Sequence, residues 1–142
     1  MPANIAPIYS RAPDVQWIGA IVTANNTLNL TSGTSYLVFT ADATNGGFVE
    51  EIRVKADPAN NTAATVVRFW INNGSTTGTA ANSSFIGELP LPATTAAAAT
   101  ALQDFSFPVN KALPAGYKIY LTIGTAPGGS GQFSATAFGG KY

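Results

Sequence analysis

Apolar and polar positions alternate along most of the chain, most strongly between Gly46 and Gly74. Phe48, Ile52, Val54 and Ala56 fall on one face of an extended segment, and Val49, Glu51, Arg53 and Lys55 on the other. Farther on, Val67, Phe69 and Ile71 share a face opposite Val66, Arg68, Trp70 and Asn72. A period of two is the mark of a strand with one face in a core. Asp57-Pro58-Ala59-Asn60-Asn61 between the two segments is turn chemistry, since Pro presets φ and Asn tolerates left-handed backbone. The pattern predicts a hairpin here.

The same reading extends in both directions. Gln16–Val22 is apolar on both faces, which predicts a central strand. Ser35–Ala41 places Leu37 and Phe39 on one face. Ser84–Leu91 does so with Phe85, Leu89 and Leu91, while Pro90 suggests an edge position. Gln103–Val109 alternates through Phe105, Phe107 and Val109. Tyr117–Thr125 turns Tyr117, Ile119, Leu121 and Ile123 inward and Lys118, Tyr120 and Thr122 outward, and Gln132–Phe138 closes the series. Thr94–Leu102 is alanine-rich but short and without an apolar face, so it reads as a crossing loop with at most a turn or two of helix. About eight strands separated by Gly, Pro and Asn turns predict an all-β, single-domain, jelly-roll-like antiparallel β-sandwich over residues 16–142. An immunoglobulin-like sandwich is the alternative, for which the chain is somewhat long. Residues 1–15 carry Pro2, Pro7 and Pro13 with scattered Ile5, Ile8 and Tyr9. They read either as a frayed terminus or as an extended N-terminal arm lying on a neighbouring subunit.

Composition narrows the chemistry. With no Cys and no His, disulfides, thiolate nucleophiles, Cys/His zinc sites and imidazole bases are excluded together. Charged residues make up 10% of the chain, seven basic against seven acidic, where an average domain has about 25%. That balance points to no nucleic acid and no membrane as partners, and it leaves the chain poorly protected against self-association. No signal peptide is expected from the start MPAN, and no apolar run approaches the ~20 residues of a membrane span.

Candidate reactive groups are few. Glu50 and Glu51 are adjacent on a strand, so they point to opposite faces and cannot flank one bond. Glu50 falls on the apolar face, where an ion pair with Arg53 or Arg68, or simple solvent exposure, accounts for it as well as an acid role would. Asp42 with Asn45, and Asp57 with Asn60 and Asn61, could offer calcium oxygens, but neither matches a metal-loop spacing and Asx turns are the commoner use. Gly128-Gly129-Ser130-Gly131 lies between strands rather than before a helix, so it reads as a turn. No cofactor and no enzymatic activity are expected. Trp70 and Tyr120, outward on their strands, are candidates for a subunit interface, with ordinary scattered surface exposure ranked second and a sugar-stacking role third.

The runs VEEIRVKA, TVVRFWINNGS, GELPLPATTAAAATAL and FPVNKALPAGYKIYLTIGTA, with the aromatic tail, resemble small structural proteins of tailed-bacteriophage virions over roughly residues 35–142. Capsid decoration (cement) proteins of jelly-roll fold are the nearest functional analogy. The resemblance implies a homo-oligomer, expected as a trimer, made in the host cytoplasm and carried on the capsid surface of the virion, with the major capsid protein as partner. On that reading Ile5, Ile8, Tyr9 and Arg11 are the expected capsid contacts. The alternative is a tail- or head-fibre adhesion module that binds host surface carbohydrate.

Overall fold

The computed structural model describes residues 12–142. Eight strands form two four-stranded antiparallel sheets. In chain order they are β1 (Ala12–Ile21), β2 (Tyr36–Thr40), β3 (Gly47–Ala56), β4 (Thr65–Asn72), β5 (Ser83–Leu91), β6 (Phe105–Leu113), β7 (Lys118–Ile123) and β8 (Phe133–Lys141). One sheet has the order β1-β8-β3-β6 and the other β2-β7-β4-β5. Successive strands therefore pass from sheet to sheet, apart from the β4–β5 hairpin, and the topology is a jelly roll. Thr94–Leu102 is loop throughout, tied down by the Thr62–Thr94 bridge.

The inward rows meet in one core. Phe39, Phe69 and Phe133 are fully buried, as are Ile21, Ile52, Ile119, Leu121 and Ile123. Burying each such side chain contributes about 1.5–3 kcal/mol. The sandwich is closed on one side by a polar clamp. Gln16 of β1 donates from Nε2 to the Thr40 carbonyl of β2 at 2.8 Å and accepts from the Thr40 N–H at 2.8 Å. One side-chain amide thus stands in for a backbone partner between the edge strands of the two sheets.

Three expectations change. The strands around Asp57–Asn61 do not pair: β3 sits between β8 and β6, and β4 lies in the other sheet. The connection is eight residues long and bridges the layers, whereas a hairpin register is set by a tight turn. The strand of Gln16–Val22 is an edge, not a centre, with Trp17 73% exposed. It also begins at Ala12, so residues 12–15 belong to the sheet and not to an arm.

The remaining differences have one cause. Register shifts fall between Leu37 and Phe39 in β2, between Val49 and Glu51 in β3, and across Phe69/Trp70 where β5 carries an extra residue. A bulge inserts one residue, and every side chain beyond it changes face. Val49 is therefore in the core and Phe48 only half-buried, and Leu37 and Phe85 point outward, away from Phe39 and Leu89.

Candidate interaction surface

The two bulges of the β2-β7-β4-β5 sheet lie in its two edge strands, β2 and β5. They turn Leu37 and Phe85 onto the outer face, in register with the two outward aromatics of the central strands. Leu37 pairs with Tyr120, Tyr120 with Trp70, and Trp70 with Phe85. The result is an apolar row crossing all four strands. Its ends are the open part, Leu37 at 39% and Phe85 at 49% exposure, while Tyr120 and Trp70 are half-buried. The Trp70 and Phe85 rings are 5.1 Å apart and inclined at 58°. That tilted packing buries ring against ring.

Beside the row, Arg68 pairs with Glu88 across β4–β5 at 3.3 Å, and Thr122 is buried although it faces outward. Two donors of β4 end here without acceptors among the described residues, Arg68 Nη1 and Trp70 Nε1. An unmet buried donor costs about 1–3 kcal/mol. The outer face of β4 is therefore not fully satisfied by the described residues.

Trp70 and Tyr120 are brought together as direct cross-strand neighbours. Ile5, Ile8, Tyr9 and Arg11, the other sequence candidates, lie outside the described residues. Leu37 and Phe85 escaped the sequence reading because strict alternation put them inside. The signal that could have found Phe85 is the run Phe85-Ile86-Gly87, in which two apolar neighbours are followed by a glycine suited to a bulge. A second exposed patch lies on the other sheet. There Trp17 and Val15 stand out from β1, and Arg53 stacks 5.2 Å over the Phe138 ring.

The acidic candidates are accounted for by local contacts. Glu50 is the bulged residue of β3 and is exposed, and both cations considered for it are engaged elsewhere. Arg53 Nε bonds Glu51 at 2.6 Å, and Arg68 pairs with Glu88. The Ser106 hydroxyl and Arg53 donate to Glu51 and hold its carboxyl below the ordinary range. Asp42 accepts the N–H groups of Asn45 and Thr44 at 2.9 Å, and these bonds lower its pKa. Asp57 accepts from Asn60 Nδ2 at 2.8 Å and from the Ala59 N–H at 2.9 Å, with the same consequence. Both aspartates act as Asx turns. Among the described residues no cluster of three or more acidic side chains is placed to hold a metal ion.

No protein-family model matches this chain, and no curated protein matches it. Among solved structures it is similar to a chain of the T13 infectious bursal disease virus particle, at 16% identity and a TM-score of 0.42 over 99% of this chain and 34% of that one. A chain of the Gx strain of the same virus gives 16% identity and a TM-score of 0.42 over 99% and 36%. A chain from the capsid asymmetric unit of cyanophage Pam1 is 15% identical with a TM-score of 0.42, and the match covers 100% of both. The chain spans about a third of the length of the infectious bursal disease virus chains. These TM-scores describe loose likenesses, and the structures concerned are of viral particles and capsids.

Proposed function

We propose that the protein is a structural component of a virion, a capsid decoration protein that assembles as a homotrimer and attaches to the outside of the capsid lattice. The observation that carries the association is the outward row Leu37–Tyr120–Trp70–Phe85, which two edge-strand bulges set in register. A bulge that turns large apolar side chains away from the core serves an outside partner, and Trp, Tyr and Phe are the residues enriched where proteins meet. The sequence resemblance to tailed-phage virion proteins supplies the setting. Sister subunits cover the row in this reading, and no chemical step is required of the protein.

The mechanism is thermodynamic. A trimer that touches several capsid subunits multiplies weak contacts through effective concentration. Binding only the assembled lattice stabilises that lattice by linkage. Electron microscopy of particles from the source lysate, labelled with gold-conjugated antibody, tests the assignment. Label spread over the heads is the expected result. Label confined to tail tips would put the carbohydrate-binding adhesion module in its place, and particles without label would overturn the virion reading.

A further inference from the structure

The two flanks of the sandwich are unlike. On the β1/β2 side the Gln16 clamp closes the core, and Ile21, Val38 and Phe39 are at most 2% exposed. On the β5/β6 side Leu91, Val109 and Leu113 are buried, but Ile71, Ile86, Leu89, Phe105 and Phe107 are only partly so. The sheets touch here where Phe107 stacks on Phe69, with centroids 4.3 Å apart, and the Phe107 ring fills the space a side chain at Gly87 would need. Beyond that contact the flank opens into an apolar cleft of about 360 Å³, lined by Ile71, Ile86, Phe107, Pro108, Val109 and Lys111. Among the described residues both rims, β5 and β6, are edge strands.

We infer that this cleft is a docking groove for residues 3–9 of a second copy of the chain, Ala-Asn-Ile-Ala-Pro-Ile-Tyr. The segment has the right chemistry: in an extended stretch Ile5, Pro7 and Tyr9 would share one apolar side, opposite Asn4, Ala6 and Ile8. Uncharged from Met1 to Ser10, it enters an apolar groove without stranding a buried charge. Its length suffices, since residues 1–11 can span about 36 Å when extended. The place where it joins the sheet selects a second copy over the same one. Ala12 pairs with Lys141, Lys141 with Gly47 and Gly47 with Leu113, which makes the end row of the sheet. Ala12, the first described residue, stands in that row. To reach its own groove it would have to reverse direction and cross three strand spacings, ~14 Å, back under the sheet end. The inference rests on the self-association part of the proposed function and names the contact.

Hydrogen exchange on the full chain, at concentrations where it is assembled, tests this. Deleting residues 2–11 is expected to speed exchange in β5 and β6 at least about tenfold while β3 and β4 stay protected. A synthetic peptide of residues 2–11 added to the truncated protein is expected to restore the slow exchange. Should the truncation unfold, shown by lost protection in β3 and β4, the double variant Ile5→Asp/Tyr9→Asp gives the same reading in a full-length chain. Unchanged exchange in β5 and β6 overturns the inference. So does protection that survives dilution to the monomer, which would mean that the segment occupies its own groove. The exchange is read on isolated protein, so a chain that fails to label virus heads can still pass.

Discussion

Single side chains carry the closure of this sandwich. Gln16 holds both the carbonyl and the N–H of Thr40. Gln16→Leu removes both bonds and leaves two edge groups to find other partners, so a loss of about 1–3 kcal/mol in urea denaturation is expected. Gln16→Glu keeps the acceptor but loses the donor, and it sets a carboxylate facing the Thr40 carbonyl. It is expected to rescue nothing at pH 7. On the opposite flank Gly87 has φ +151°, and a Cβ there would lie 2.8 Å from the Phe107 ring. Because Phe107 is already stacked on Phe69, the ring cannot withdraw cheaply. Gly87→Ala is expected to cost about 1–3 kcal/mol, read from the same denaturation curves, with the loss of Phe107 packing as its cause.

At the scale of elements, the bulges decide which apolar side chains stand on the outer face. Without the extra residue in β5, Phe85 would share a face with Leu89, and the outer row would end at Trp70. Phe85→Ser and Leu37→Ser are therefore expected to leave the fold standing, with stability changes of about 1 kcal/mol or less, since both side chains are substantially exposed. Most of the strands were legible in the sequence because alternation is a direct imprint of burial. Val67, Phe69, Ile119, Leu121 and Ile123 all face where their spacing puts them. What alternation cannot show is a change of phase. Val49 and Phe85 were read on the wrong face for that reason, as was Leu37. The pairing of strands was hidden too, since a run of turn residues such as Asp57–Asn61 marks a change of direction but not whether the next strand stays in the same sheet. The outer row was half legible: Trp70 and Tyr120 follow from simple alternation on unbulged stretches, and their cross-strand neighbours do not.

For the whole molecule, the small charge complement has a pH consequence. Asp42, Glu51, Asp57 and Asp104 all have pKa values lowered by the bonds they accept, the last chiefly through Lys55 at 2.8 Å. A carboxyl whose pKa is lower folded than unfolded contributes stability that is fully present above its ordinary value. That contribution is lost as the pH falls through the folded value. The unfolding midpoint is therefore expected to fall as the solution is acidified below about pH 4. With no His or Cys in the chain, it is expected to stay level between pH 6 and 8. A midpoint that moves within that neutral window would show that another titrating group matters to the fold.

The central claim is that the outer row of the β2-β7-β4-β5 sheet joins one copy to the next. Sedimentation velocity of the wild-type chain beside the Leu37→Ser/Phe85→Ser double variant tests it most directly, with circular dichroism confirming that both are folded. The account predicts that the 14.6 kDa chain sediments as a trimer and that the folded double variant sediments as a monomer at the same concentration. A folded double variant that assembles as fully as the wild type, or a wild type that remains monomeric, would contradict it.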